Sequence, residues 1–76
     1  KAEAVDMLMR AVGETVAEKD PVCIYETLRE IGMMLVSLAP KQSTFLLEEA
    51  DRLARNDPKV IAMLDFMPNA YARSVE

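Results

Sequence analysis

Hydrophobic and polar positions alternate along the chain with helical period, in four blocks separated by prolines. At about 100° per residue, Val5, Leu8, Met9, Val12 and Val16 fall on one stripe. Glu3, Asp6, Arg10, Glu14 and Glu18 fall opposite, with Met7 among them. This predicts a first helix over about residues 2–18. Gly13, at the edge of the stripe, is a candidate for close helix approach.

The second block, about residues 21–38, carries two apolar stripes. One is Ile24, Leu28, Ile31, Leu35 and Leu38. The other is Val22, Tyr25, Gly32, Met33 and Val36, interrupted by Arg29. A helix that is apolar on two sides is either central in its domain or covered by a partner. A third helix is predicted over about 41–55, with Leu46, Ala50 and Leu53 inward and Phe45 on the other flank. The fourth, about 58–67, is apolar nearly all round through Val60, Ile61, Met63, Leu64, Phe66 and Met67, and needs a cover. The tail 69–76 reads as weakly ordered, although Tyr71 and Val75, four apart, have the spacing to dock.

The corners come from proline. In Asp20-Pro21 and Asp57-Pro58 the aspartate suits the N-cap, because its carboxylate accepts from N–H groups of the first turn. Proline suits the next position, where its missing N–H has no partner to lose. Pro40 marks the corner between helices two and three, and Pro68 closes helix four. The expected fold is all-α: a compact single-domain bundle of three longer helices and one short C-terminal helix, with two helical hairpins as a further option. Asp57 lies 37 positions after Asp20, so a duplicated hairpin would overlay Leu8 on Phe45, Val16 on Leu53, Cys23 on Val60 and Ile24 on Ile61. The plainer reading is that two helix starts are capped alike.

With 76 residues, the chain has room for a core worth only ~3–5 kcal/mol unless disulfides, metals or association assist. A single cysteine excludes an internal disulfide, and the absence of histidine removes the commonest zinc ligand. Association is the support left. Net charge is −4 and the nine basic residues are scattered, which disfavours nucleic acid. The apolar run 31–39 is about half of what a membrane span needs. No signal peptide is legible, Lys1 in place of methionine suggests a processed chain, and the lone cysteine fits a cytoplasmic, reducing location.

Chemistry is sparsely indicated. Without histidine there is no Ser–His or Cys–His dyad, and Gly13 and Gly32 stand alone rather than in a phosphate loop. No catalytic residue, cofactor or metal is expected. Cys23 reads as a small, partly buried core residue rather than a nucleophile. Glu26 with Glu30, and Glu48, Glu49 and Asp51, read as solvated faces. Met9 and Met34 read as core fillers, whereas Met7 and Met33 are candidates for a contact surface, since methionine suits adaptable interfaces.

The sequence therefore points to a non-enzymatic protein–protein interaction module, such as a regulator, adaptor, chaperone or inhibitor. Its expected interface is Val22, Tyr25, Met33, Val36 and Met7, pairing across a two-fold axis as a homodimer. One alternative is a helix-turn-helix DNA reader with Lys41, Gln42, Ser43 and Thr44 opening its recognition helix. Another is an acidic nucleic-acid mimic that blocks a basic cleft with Glu3, Asp6, Glu14 and Glu18.

Overall fold

Both Asp-Pro pairs start helices as their chemistry dictates. The Asp20 carboxylate accepts from the N–H groups of Val22 at 3.1 Å and Cys23 at 3.4 Å. Asp57 accepts from Lys59 at 2.9 Å and Val60 at 3.3 Å. In the computed structural model, which describes residues 2–66, the chain forms α1 (Ala2–Ala17), α2 (Pro21–Met34), α3 (Pro40–Asn56) and α4 (Pro58–Phe66). Three longer helices and one short one make an all-α bundle with principal extents of 37 × 30 × 16 Å. Met67, Tyr71 and Val75, with the rest of the expected tail, lie outside the described residues.

The first corner is closed by Lys19, which has a left-handed backbone with φ 64°. The Glu18 and Lys19 N–H groups donate back to Thr15 and Val16. This is the usual way a helix turns off its axis, although glycine is the residue best suited to that conformation.

Helix α2 ends four residues before the expected Leu38. Leu35 leaves helical geometry, residues 35–38 form turns, and Ala39 ahead of Pro40 is non-helical, with φ −147° and ψ 78°. A residue before proline is pushed out of the helical region, which accounts for the backbone of Ala39. Leu35 stays fully buried, whereas Leu38, off the helix axis, is exposed rather than part of the core.

Helix α2 is the centre of the bundle. It packs against α1, α3 and α4, and most extensively against α3. Among the described residues α1 packs against α2 alone. One partner covers only part of the α1 stripe: Val12 is buried and Val5, Leu8 and Met9 pack against the core, but Val16 is exposed. The core itself is Val12, Tyr25, Leu28, Ile31, Leu35, Leu46, Ala50 and Val60. Burial does not follow the 37-residue overlay, because exposed Cys23 corresponds to fully buried Val60, and partly buried Leu8 to exposed Phe45.

The close helix approach lies at Gly32, not Gly13. A Cβ built on Gly32 would meet Leu47 Cγ and Cδ2 at 2.8 Å, whereas one on Gly13 meets nothing within 4 Å among the described residues. At this crossing the Ser43 hydroxyl donates to the Gly32 carbonyl at 2.6 Å. The last four carbonyls of a helix have no partner within it. Ser43 of α3 thus caps the C-terminal end of α2 from outside.

Among the described residues, no helix is long and apolar enough to cross a membrane.

Candidate functional site

The second stripe of α2 is divided by the fold. Its inner edge, Tyr25 and Gly32, is buried in the chain, so Tyr25 is not the open contact residue that the sequence suggested. A helix apolar on two sides satisfies that pattern here by being central: Gly32 lies against Leu46 and Leu47 of α3, and Tyr25 lines a groove with Met63 and Leu64 of α4. The outer edge of the stripe is exposed: Met33 at 59% and Val36 at 51%. Val22, in the first turn of α2, is half-buried. Met7 is exposed on the charged outer face of α1, opposite the stripe that packs on α2, so the fold does not bring it to the others.

Met33 and Tyr25 both line an open groove of about 430 Å³ between α2 and α4. Tyr25, Met33, Met63 and Leu64 supply its apolar surface, and Glu26, Arg29 and Glu30 the charged side chains along α2. Sequence reasoning marked helix four as needing a cover but did not connect Met63 and Leu64 with Met33. Nothing local in the sequence joins positions thirty residues apart.

Beyond Met33, further large apolar side chains near it in the chain are exposed: Met34, Val36 and Leu38. Met34 is therefore not a core filler. It shares a face of α2 with Cys23 and Glu30, which recur at helical spacing, and all three are exposed. That face also explains Cys23, an exposed free thiol rather than a partly buried residue. The stretch 31–40 contains no charged residue.

The polar face of α3 carries two ion pairs held within that helix. Arg52 pairs with Glu49 at 3.0 Å and Arg55 with Asp51, one turn apart on the outside of α3. These pairs occupy the two arginines nearest the start of α4. Lys41, Gln42 and Thr44 are exposed at the start of α3, but Ser43 is buried at the α2 crossing and cannot reach an external ligand from there. On α1, Glu3, Asp6, Glu14 and Glu18 are all exposed. Among the described residues, no group of three or more His, Cys, Asp or Glu side chains gathers as metal ligands would. No buried side-chain nitrogen or oxygen among them lacks a hydrogen-bond partner.

Comparison with known proteins finds no matching family model, no matching curated protein and no matching solved structure. The functional reading therefore rests on the surfaces described above.

Proposed function

We propose that the chain is a non-enzymatic protein-binding module that pairs with a second copy of itself through the end of α2. The observation that carries this reading is the run Met33, Met34, Val36 and Leu38: four large apolar side chains exposed within six residues. A contiguous exposed apolar patch marks an interaction surface more often than scattered apolar residues do. Each of these half-exposed side chains has about 1 kcal/mol still to gain from burial. Such a patch supports reversible, concentration-dependent pairing. A second copy suits it because the stretch is uncharged, so the repulsion expected between chains of net charge −4 is weakest there.

Sedimentation equilibrium over a wide concentration range tests this. The expected result is a monomer–dimer equilibrium that Met33→Glu with Val36→Glu abolishes, while helix content by circular dichroism is unchanged. A chain that stays monomeric up to the highest soluble concentration would overturn self-pairing.

A second reading has one observation in its favour. The exposed Glu3, Asp6, Glu14 and Glu18 make the outer face of α1 acidic, as an inhibitor of a basic cleft would require. It predicts partner affinity that falls steeply with salt, because exposed charges are screened over about a Debye length. Salt-insensitive binding would count against it.

A further inference from the structure

We infer that the α2–α4 groove is a docking site for an amphipathic helix of a partner protein, with basic side chains along one flank. This goes beyond self-pairing and uses a different surface, although Met33 borders both. Four observations favour this occupant.

First, the groove lies between two packed helices whose floor residues, Tyr25, Met33, Met63 and Leu64, are apolar. Helix α2 is 14 residues long, about 21 Å, which is flank enough for a helix laid alongside it. Second, Glu26 and Glu30 stand one turn apart, both exposed, on the α2 side of the groove. Basic residues three or four apart on an incoming helix match that spacing. Arg29 between them already has an interaction of its own.

Third, a small polar ligand is disfavoured. Such sites hold ligands through a few convergent polar groups. Here the polar groups are carboxylates and a guanidinium on the flank, and no buried side-chain polar atom among the described residues awaits a partner. Fourth, two of the four floor residues are methionines, whose flexible thioethers repack around different apolar side chains. A second copy is a poor occupant of this groove, since a two-fold pairing would bring the Glu26–Glu30 edges of two acidic chains together. Like-charge contact of that kind selects against the wrong partner.

The test uses the whole chain and fluorescence anisotropy at physiological salt. The probe is a labelled amphipathic peptide of about 18 residues, long enough for appreciable helicity, with a leucine stripe flanked by lysines. A control peptide has glutamate in place of each lysine. The basic peptide is expected to bind and the acidic one not to. Glu26→Lys with Glu30→Lys should weaken the basic peptide by about tenfold or more, since two attractive contacts become repulsive. Glu3→Lys with Glu14→Lys, on the far face of α1, should leave affinity within about twofold, because separation beyond a Debye length screens them. Both pairs are exposed, so all variants keep the fold. Val36→Glu should not affect the peptide, which separates this site from the self-pairing surface. Absence of binding by the basic peptide would overturn the assignment. So would equal weakening by both charge-reversal pairs, which would mean general attraction to an acidic chain. Loss of peptide binding on Val36→Glu would place the peptide on the self-pairing surface and overturn it too.

Discussion

The chain has two glycines, both inside helices, and replacing each by alanine should change stability with opposite sign. In a helix interior alanine is favoured over glycine by about 0.8–1.0 kcal/mol. At Gly13 nothing opposes that gain, since the position is exposed and an added Cβ meets no described atom within 4 Å. Gly13→Ala should therefore stabilise by about 1 kcal/mol, or about 4–8 °C in Tm for a domain of this size. At Gly32 the same gain is opposed by Leu47, whose Cγ and Cδ2 would both lie 2.8 Å from the new carbon, and by Leu46 Cβ at 3.4 Å. Leu46 is 1% exposed and cannot retreat. Turning the end of Leu47 is insufficient because Cγ itself is too close, so χ1 or the helix spacing must change. Overpacking of this kind costs about 1–3 kcal/mol. If the helices part, the bond from Ser43 to the Gly32 carbonyl stretches and another ~1 kcal/mol is at risk. Gly32→Ala should thus lose about 1–2 kcal/mol net. Urea unfolding followed by circular dichroism measures both variants. A double-mutant cycle adds the decisive control: with Leu47→Ala in place the obstruction is gone, and Gly32→Ala should become stabilising, a coupling of about 2 kcal/mol. A Gly32→Ala variant that gains as much as Gly13→Ala would refute this account of the α2–α3 crossing.

Substitutions at four further positions probe the ends of helices. Ser43→Ala removes the outside cap of α2 and leaves the buried Gly32 carbonyl without its Ser43 donor, so chemical denaturation should show a loss of about 1–3 kcal/mol. Asp20→Ala and Asp57→Ala each remove a carboxylate that holds two N–H groups, and each should lower stability by about 1 kcal/mol, additively in a double variant. Lys19→Gly relieves a left-handed residue that carries a Cβ, so thermal unfolding should show a gain of about 0.5–1 kcal/mol, whereas Lys19→Val should lose stability.

What was legible in the sequence follows the range of the forces involved. The starts of α2 and α4 are written in Asp20-Pro21 and Asp57-Pro58, because capping involves atoms two or three residues apart. Leu46, Ala50 and, on the α2 stripe, Leu28, Ile31 and Leu35 announce themselves by periodicity and are buried, with Ile24 partly buried against them. The end of α2 was hidden because the apolar run from Ile31 to Ala39 keeps helical spacing past the point where the chain unwinds. Ser43 was unreadable for another reason. A serine at the start of a helix looks like a surface residue, and only the approach of α2 at Gly32 gives its hydroxyl a buried acceptor. The groove was equally out of reach, since it joins Met33 to Met63 and Leu64 through packing that periodicity does not encode.

The central position of α2 decides which residues can report on function at all. Every helix of the bundle packs on it, and α1 has no other helix to hold it among the described residues. A change to the inner arc of α2 is therefore a change to the whole fold. Tyr25 illustrates this: it borders the groove yet is 9% exposed and belongs to the core. Tyr25→Ala would remove a buried aromatic at about 3–5 kcal/mol, comparable to the total stability of so small a domain. Loss of binding in that variant would report unfolding and nothing about a contact. Glu26, Glu30, Met33 and Val36 belong to the exposed arc and to the turn beyond it, where substitution leaves the packed side of α2 untouched. Within α2 and its following turn, association and stability can be separated only at such positions. The residues that best test the contact surfaces are thus the ones the fold uses least.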